Sequence, residues 1–173
     1  MKENKEKRAT LWMADHGISL LRISIGIIFL WFGLLKYFPG LSPMEDLSVN
    51  TIRVLTFNLF SDKAMVVGLA TLECLIGIGL LTAKFFRATL ILLIFQLIGA
   101  ISPVILFPEE IFSIIPIAPT LAGQYIIKDI VLISAGILLG GTVRGGKMIA
   151  DPAIANKAKK VEEEKLQSGK TPE

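Results

Sequence analysis

The chain has 173 residues, of which 53% are hydrophobic and 19% are charged, and its mean hydropathy is +0.65. This balance is too apolar for an ordinary water-soluble domain and is typical of an integral membrane protein. The length fits about four or five spanning helices and excludes a second globular domain of the usual ~100 residues. A single cysteine and a single histidine exclude a disulfide framework, a CxxC redox pair and a His-rich metal site.

Four apolar segments are long enough to cross a bilayer, since a helix needs about 20 residues for ~30 Å of hydrocarbon. We place them at residues 18–38, 64–82, 85–107 and 124–141. They define an all-α, four-helix transmembrane domain over residues 18–143. A basic N-terminus (residues 1–17) precedes this domain, and a charged tail (residues 144–173) follows it.

The net charge of +3 does not point to a nucleic-acid partner, because the basic residues flank the apolar segments. They cluster before the first span, between the second and third spans and after the fourth. These residues are Lys2, Lys5, Lys7, Arg8, Lys84, Arg87, Arg144 and Lys147. By the positive-inside rule these segments are cytoplasmic, so both termini are expected inside and the protein is expected to cross the membrane several times.

The first outer connection is expected to be helical. The segment Ser42-Pro43-Met44-Glu45 has the order of an N-cap serine, a proline at the first helical position and a capping-box glutamate. The apolar residues after it share one helical face, which predicts an amphipathic helix on the outer membrane surface or over the bundle. That face comprises Met44, Leu47, Ile52, Leu55 and Leu59.

Two further segments outside the spans carry local signals. In residues 108–123, Pro108, Pro116 and Pro119 interrupt an apolar sequence, so we expect a bent segment packed on the bundle or dipping into the headgroups. In the tail, Asp151-Pro152 predicts the start of a short cytoplasmic helix that reaches about Leu166. Residues 168–173 are expected to be disordered.

Each span carries a face of small and polar residues at helical spacing, which predicts that these faces meet inside the bundle. Glu73 lies near the middle of the second span, and an unpaired charge there costs about 3 kcal/mol or more. We therefore expect Glu73 to pair with Arg22, about 8 Å away in height at 1.5 Å per residue, or to be protonated. Gln96 is its expected hydrogen-bond partner. A second pair is expected between Lys36 and Asp129.

Three segments resemble the DoxX-like family of four-helix membrane proteins, nearest to its reactive-chlorine-resistance (RclC/YkgB) branch. They are LRISIGIIFLWFGLLKYFPG (21–40), TLECLIGIGLL (71–81) and PTLAGQYIIKDIVLISAG (119–136). Within these segments the family motifs match Arg22, Lys36, Glu73, Gln124, Tyr125 and Lys128. Leu72, Ala122 and Asp129 depart from the family pattern. The resemblance implies a location in a bacterial inner membrane. It also implies a link to redox chemistry through membrane subunits of quinone-linked or oxidative-stress complexes.

Three functions remain open from the sequence. The first is a membrane subunit, not an enzyme by itself, that binds a quinone or lipid-like molecule and supports a redox complex with other membrane or redox subunits. Glu73 and Gln96 would form hydrogen bonds to the bound molecule, and Arg22, Lys36 and Lys128 would offset the charge of its reduced form. The aromatic walls of the cavity would be Phe29, Trp31 and Phe95. The second is a purely structural or assembly subunit. The third is a protein that conducts protons or a small anion.

Overall fold

A computed structural model describes residues 2–42, 44–146 and 148–167 of the chain. Helix accounts for 76% of it, in agreement with the predicted all-α architecture. The eight helices and two strands found in the described residues are, in chain order, α1 (Lys2–Leu35), α2 (Glu45–Leu55), α3 (Asp62–Thr82), α4 (Phe86–Ile101), α5 (Pro103–Leu106), α6 (Pro108–Ile111), β1 (Phe112–Ile114), β2 (Ala118–Pro119), α7 (Leu121–Gly140) and α8 (Pro152–Gln167). By contacts the chain divides into one unit of Leu20–Arg144 and another of Met1–Ser19 with Gly145–Glu173.

Four helices are long and apolar enough to cross a membrane, so this is a multi-pass membrane protein. They are Lys5–Leu35, Asp62–Thr82, Phe86–Leu106 and Leu121–Gly140. The four predicted spans are therefore present with shifted ends. The largest shift is in α1, which begins at Lys2 instead of residue 18 because its polar start consists of good helix formers without proline. Lys36 lies just beyond the end of α1.

The third span is interrupted near its end, where a continuous helix was predicted. Pro103 has no N–H to donate to the carbonyl of Gly99, and α4 ends at Ile101. The Ser102 hydroxyl donates to this carbonyl over 2.7 Å instead. The one-turn helix α5 then completes the span.

The predicted capping box before α2 is wrong. The helix begins at Glu45, its N-terminus has no side-chain cap, and Ser42 lies three residues before the first helical residue. The Glu45 carboxylate instead accepts a hydrogen bond from the Gly40 N–H over 3.4 Å. Pro43, the middle of the predicted motif, lies outside the described residues.

The α2 helix is packed on two sides. Leu47 contacts Ile111 and Ile126 in an apolar cluster, whereas Val49, on the opposite side of the helix, is also buried. The predicted apolar face is correct at Leu47. It fails toward the C-terminus, where Leu55 is half exposed and Leu59 lies beyond the end of the helix.

The segment after α5 bends, as its prolines predict, but it also contains a hairpin that the all-α prediction missed. Strands β1 and β2 pair antiparallel, with Phe112 opposite Pro119. The Thr120 side chain then caps α7 by accepting from the Gly123 N–H over 3.1 Å. Gly123 packs directly on the Ile111 carbonyl, where a Cβ atom would lie 2.0 Å from the oxygen.

The predicted helix in the tail is present as α8. The carboxylate of Asp151 accepts a hydrogen bond from the Ala153 N–H over 2.8 Å at the start of this helix. The predicted disorder of residues 168–173 concerns positions outside the described residues, as does Lys147 of the third basic cluster.

Candidate functional site

Glycines bring α1 and α3 into close antiparallel contact. A Cβ atom on Gly77 would lie 2.6 Å from the backbone nitrogen of Leu30, and one on Gly33 would lie 2.9 Å from that of Cys74. Only hydrogen fits at these positions, so the two backbones approach as in other small-residue helix pairs. Leu30 thus lies opposite Gly77 and Gly33 opposite Cys74, which fixes the register of the two helices.

This register places Lys36 beside Glu73. Lys36 follows Gly33 by about one turn, and its Nζ lies 2.7 Å from Oε2 of Glu73. The side chains are only 14% and 10% exposed. An ion pair at this depth removes most of the cost of either charge alone, so each residue makes the other tolerable inside the bundle.

Gln96 of α4 completes the coordination of the carboxylate. Its Nε2 donates to Oε1 of Glu73 over 3.3 Å, which confirms the predicted hydrogen bond. A glycine also sets the register between α3 and α4, since Gly79 packs against the Thr89 side chain. This contact lies one to two helical turns from Glu73 and Gln96. Both oxygens of Glu73 therefore have a donor, one from the residue that follows α1 and one from α4. We call Lys36, Glu73 and Gln96 the central cluster.

A further polar contact beside the central cluster was not predicted. The hydroxyl groups of Tyr37 and Thr71 lie 2.8 Å apart and join the end of α1 to α3. Thr71 is two residues before Glu73 in α3, and Tyr37 is the residue after Lys36. The two hydroxyl groups therefore lie next to the ion pair. The pairing was invisible in the sequence because it depends on the register between two helices that only the packed structure reveals.

The predicted ion pair between Arg22 and Glu73 is wrong. The Arg22 guanidinium donates to the carbonyls of Leu80 and Leu81, the latter over 3.4 Å. In the observed register Arg22 lies about 18 Å from Glu73 in height, at 1.5 Å per residue, more than twice the predicted offset. It binds the carbonyl groups at the C-terminal end of α3, which lack partners within the helix.

The predicted pair between Lys36 and Asp129 is also wrong, because the Lys36 ammonium forms its salt bridge with Glu73. Asp129 lies half-buried on α7. Within the described part of the chain, its carboxylate forms no hydrogen bond or salt bridge of its own. Asp129 is thus not part of the central cluster.

Three further predicted site residues lie on the exposed side of α7 near its start. Gln124, Tyr125 and Lys128 are exposed, whereas the opposite face of the helix is buried through Gly123 and Ile126. The Lys128 Nζ lies 5.5 Å from the centre of the Tyr125 ring, in a cation–π arrangement. These residues form a separate polar patch on the exposed side of α7.

The aromatic residues predicted to wall a cavity divide between interior and surface. Phe29 is buried, but Trp31 and Phe95 are 65% and 68% exposed. These two rings therefore lie on exposed faces of α1 and α4 and do not line an interior space. Phe95 nevertheless adjoins Gln96 in sequence, and Gln96 itself is half-buried. The central cluster is thus close to the bilayer-facing surface of α4.

Over the described ranges, no group of three or more His, Cys, Asp or Glu side chains is placed to hold a metal ion. No protein-family model matches the chain, and no curated protein or solved structure matches it either. The functional argument therefore depends on the residues themselves.

Proposed function

We propose that the protein is a small integral membrane subunit that binds a quinone or similar lipid-like molecule at the central cluster. In this role it supports a redox or oxidative-stress complex in the bacterial inner membrane, as the DoxX-like sequence motifs imply. The observation that carries the proposal is the placement of Gln96. Its amide joins the buried Glu73 carboxylate, and it is half-buried on the helix that carries the exposed Phe95.

The chemistry of this arrangement suits a neutral ring with polar oxygens. A quinone carbonyl accepts hydrogen bonds, which the Gln96 amide and the Lys36 ammonium supply, and a reduced hydroxyl group donates to the Glu73 carboxylate. A hydrophobic molecule reaches such a site from the bilayer, along the exposed side of α4. The neighbouring Phe95 ring offers it an aromatic contact.

One observation favours the alternative of a purely structural subunit. In the described residues, every fully buried side-chain nitrogen or oxygen atom has a hydrogen-bond partner within the protein. Each member of the central cluster therefore has at least one partner without a ligand, and the cluster also joins α3 and α4 to the end of α1. Under this alternative, loss of Glu73 affects assembly and nothing else.

A matched pair of amide variants tests the proposal. Gln96→Leu removes the amide at the central cluster, and Asn156→Leu removes an exposed amide on α8 as the control. The proteins are purified in mild detergent, their bound quinones are extracted and quantified, and the binding of a short-chain quinone is titrated. We expect Gln96→Leu to bind about tenfold more weakly, which corresponds to one lost hydrogen bond of about 1.4 kcal/mol.

The outcomes separate the two functions. Equal binding by both variants, or no binding by the unmodified protein, contradicts the quinone site. Glu73→Gln serves as a second test, because it keeps the shape of the side chain. A folded, monodisperse Glu73→Gln protein that has lost quinone supports the proposal, whereas loss of expression and assembly together supports the structural alternative.

A further inference from the structure

The connection between α2 and α3 exposes apolar side chains at one end of a membrane span. Phe57 is 94% exposed, more than any other large hydrophobic side chain in the described residues, and Leu59 and Phe60 are 76% and 52% exposed. We call Phe57–Phe60 the apolar loop. It ends two residues before Asp62, the first residue of the spanning helix α3. The apolar loop therefore lies where the chain enters the membrane.

The helix before the apolar loop packs beside the span itself. Val49 and Ile52 of α2 line a crevice together with Val66 and Leu69 of α3. These two α3 residues follow Asp62 by about one and two helical turns, which is about 6 and 10 Å into the span at 1.5 Å per residue. Since α2 lies beside this part of the span, the loop that joins α2 to α3 is held close to the level of Asp62.

Phe57 adopts a backbone conformation that is unfavourable for a bulky residue. Helix α2 ends in a Schellman motif, since the N–H of Asn58 donates to the Arg53 carbonyl over 2.8 Å. The second bond of the motif joins the N–H of Phe57 to the Val54 carbonyl over 3.3 Å. The left-handed position of this motif usually holds glycine, but here it holds Phe57, with a φ of 53°. Because the ring is almost fully exposed, packing within the described chain offsets little of this cost, which indicates a contact outside the chain.

The polar groups of this segment are largely satisfied by the chain itself. The N–H groups of residues Thr56–Leu59 all donate to backbone carbonyls, and the Thr56 hydroxyl does the same. The nearest charged residues in sequence, Arg53 and Asp62, form a salt bridge with each other over 2.6 Å. A segment with no net charge and few free donors loses little on leaving water. The exposed Asn58 amide suits the polar headgroup region of a bilayer.

We propose that the apolar loop inserts into the lipid leaflet that surrounds the start of α3. Phe57, Leu59 and Phe60 then lie among the upper acyl chains, at the interfacial level that aromatic side chains favour, and Asn58 stays among the headgroups. The lipid supplies the burial that the described chain does not give to the Phe57 ring. This inference does not depend on the proposed quinone.

Tryptophan fluorescence in vesicles tests the proposal, because Phe57→Trp keeps an aromatic ring in the apolar loop. The variant is made in a protein whose two native tryptophans, Trp12 and Trp31, are replaced by phenylalanine. It is reconstituted in vesicles of phosphatidylcholine and phosphatidylglycerol, with and without bromine on the acyl chains. Brominated chains quench fluorescence from within the lipid, whereas iodide quenches it from water.

Two reference proteins calibrate the quenching. The protein that keeps Trp31 as its only tryptophan is the lipid reference, since this side chain is 65% exposed on the spanning helix α1. Asn156→Trp, at an exposed position of α8, is the water reference. We expect brominated lipid to quench Phe57→Trp severalfold more than Asn156→Trp, and iodide to quench it severalfold less.

Two results overturn the proposal. Quenching of Phe57→Trp that matches Asn156→Trp places the apolar loop in water. Protection from both quenchers shows that protein covers the loop, either a second copy of this chain or another subunit. Leu59→Trp is an independent second position, for which we expect the same pattern as for Phe57→Trp and which decides the test if the Phe57 variant does not fold.

Discussion

Arg22 illustrates how a charged side chain inside a span is stabilised without an opposite charge. Its guanidinium donates to the carbonyls of Leu80 and Leu81, close to the end of α3 at Thr82. The last four carbonyls of a helix have no partner within it, and the helix dipole places partial negative charge there. Arg22 therefore acts as a cap for α3 supplied by α1.

Replacing this cap should destabilise the helix bundle and leave the contacts of the central cluster intact. We expect Arg22→Leu to lower the free energy of unfolding by about 1–2 kcal/mol, since it removes charge-assisted hydrogen bonds to the helix end. Denaturant unfolding in mixed micelles measures the change. Arg87→Leu, at an exposed position in the first turn of α4, is the control. An equal effect of the two variants would show that Arg22 contributes only its general surface charge.

At this scale the sequence identified the important residues but not all of their partners. The depth of Glu73 within a span predicted that it needs a hydrogen-bond donor, and Gln96 is that donor. The predicted partners of Arg22 and Lys36 were wrong, because a single sequence does not reveal how far one helix is shifted along its own axis relative to its neighbour. The predicted and observed heights of Arg22 relative to Glu73 differ by about 10 Å, which is about seven residues at 1.5 Å per residue.

Close helix packing sets that displacement. The absent side chain of Gly77 allows α3 to rest on the backbone of Leu30, and the contact fixes α1 against α3 from Arg22 to Lys36. Without this approach, the Lys36 side chain would have to span a wider gap to Glu73. The ion pair thus depends on the close helix contact at Gly77, which lies one turn from Glu73.

A matched pair of glycine variants in α3 tests this dependence. Gly77→Ala introduces a Cβ atom 2.6 Å from the Leu30 nitrogen, whereas Gly68→Ala meets no atom within 4 Å. We expect Gly77→Ala to cost about 1–3 kcal/mol through overpacking. Gly68→Ala should be neutral or slightly stabilising, because alanine favours helix over glycine. Comparable unfolding curves for both variants would contradict the packing argument.

Among the elements, hydropathy predicted the four spans, because the length of each apolar segment is dictated by the membrane. Local signals were less reliable. The capping motif before α2 is not used, since Glu45 binds the Gly40 amide instead of closing on Ser42. The β1–β2 hairpin was missed because its strands have two and three residues, too few for a recognisable alternation of polar and apolar residues.

For the whole molecule, the distribution of basic residues predicts the orientation in the membrane. On this prediction, Ser113 in β1 lies on the periplasmic side of the membrane and Thr82 at the end of α3 lies on the cytoplasmic side. The Cys74→Ser protein offers a background without native thiols, into which Ser113→Cys or Thr82→Cys is introduced. A membrane-impermeant thiol reagent should label Ser113→Cys in intact cells and Thr82→Cys only after permeabilisation. The reverse pattern would invert the orientation.

The central claim of this account is that Lys36 and Glu73 neutralise each other inside a bundle of membrane-spanning helices. A double-mutant cycle with Lys36→Met and Glu73→Gln measures this directly through the free energy of unfolding. The exposed pair Arg53–Asp62, whose side chains are 39% and 65% exposed, serves as the reference cycle. Exposed pairs of this kind couple by at most about 1 kcal/mol.

We expect each single variant at the buried pair to cost about 3 kcal/mol, because it leaves a charge or a polar group without its partner. The double variant should cost clearly less than the sum, with a coupling energy of about 2 kcal/mol, larger than that of the reference pair. Costs that add to within about 0.5 kcal/mol would show that Lys36 and Glu73 do not depend on each other.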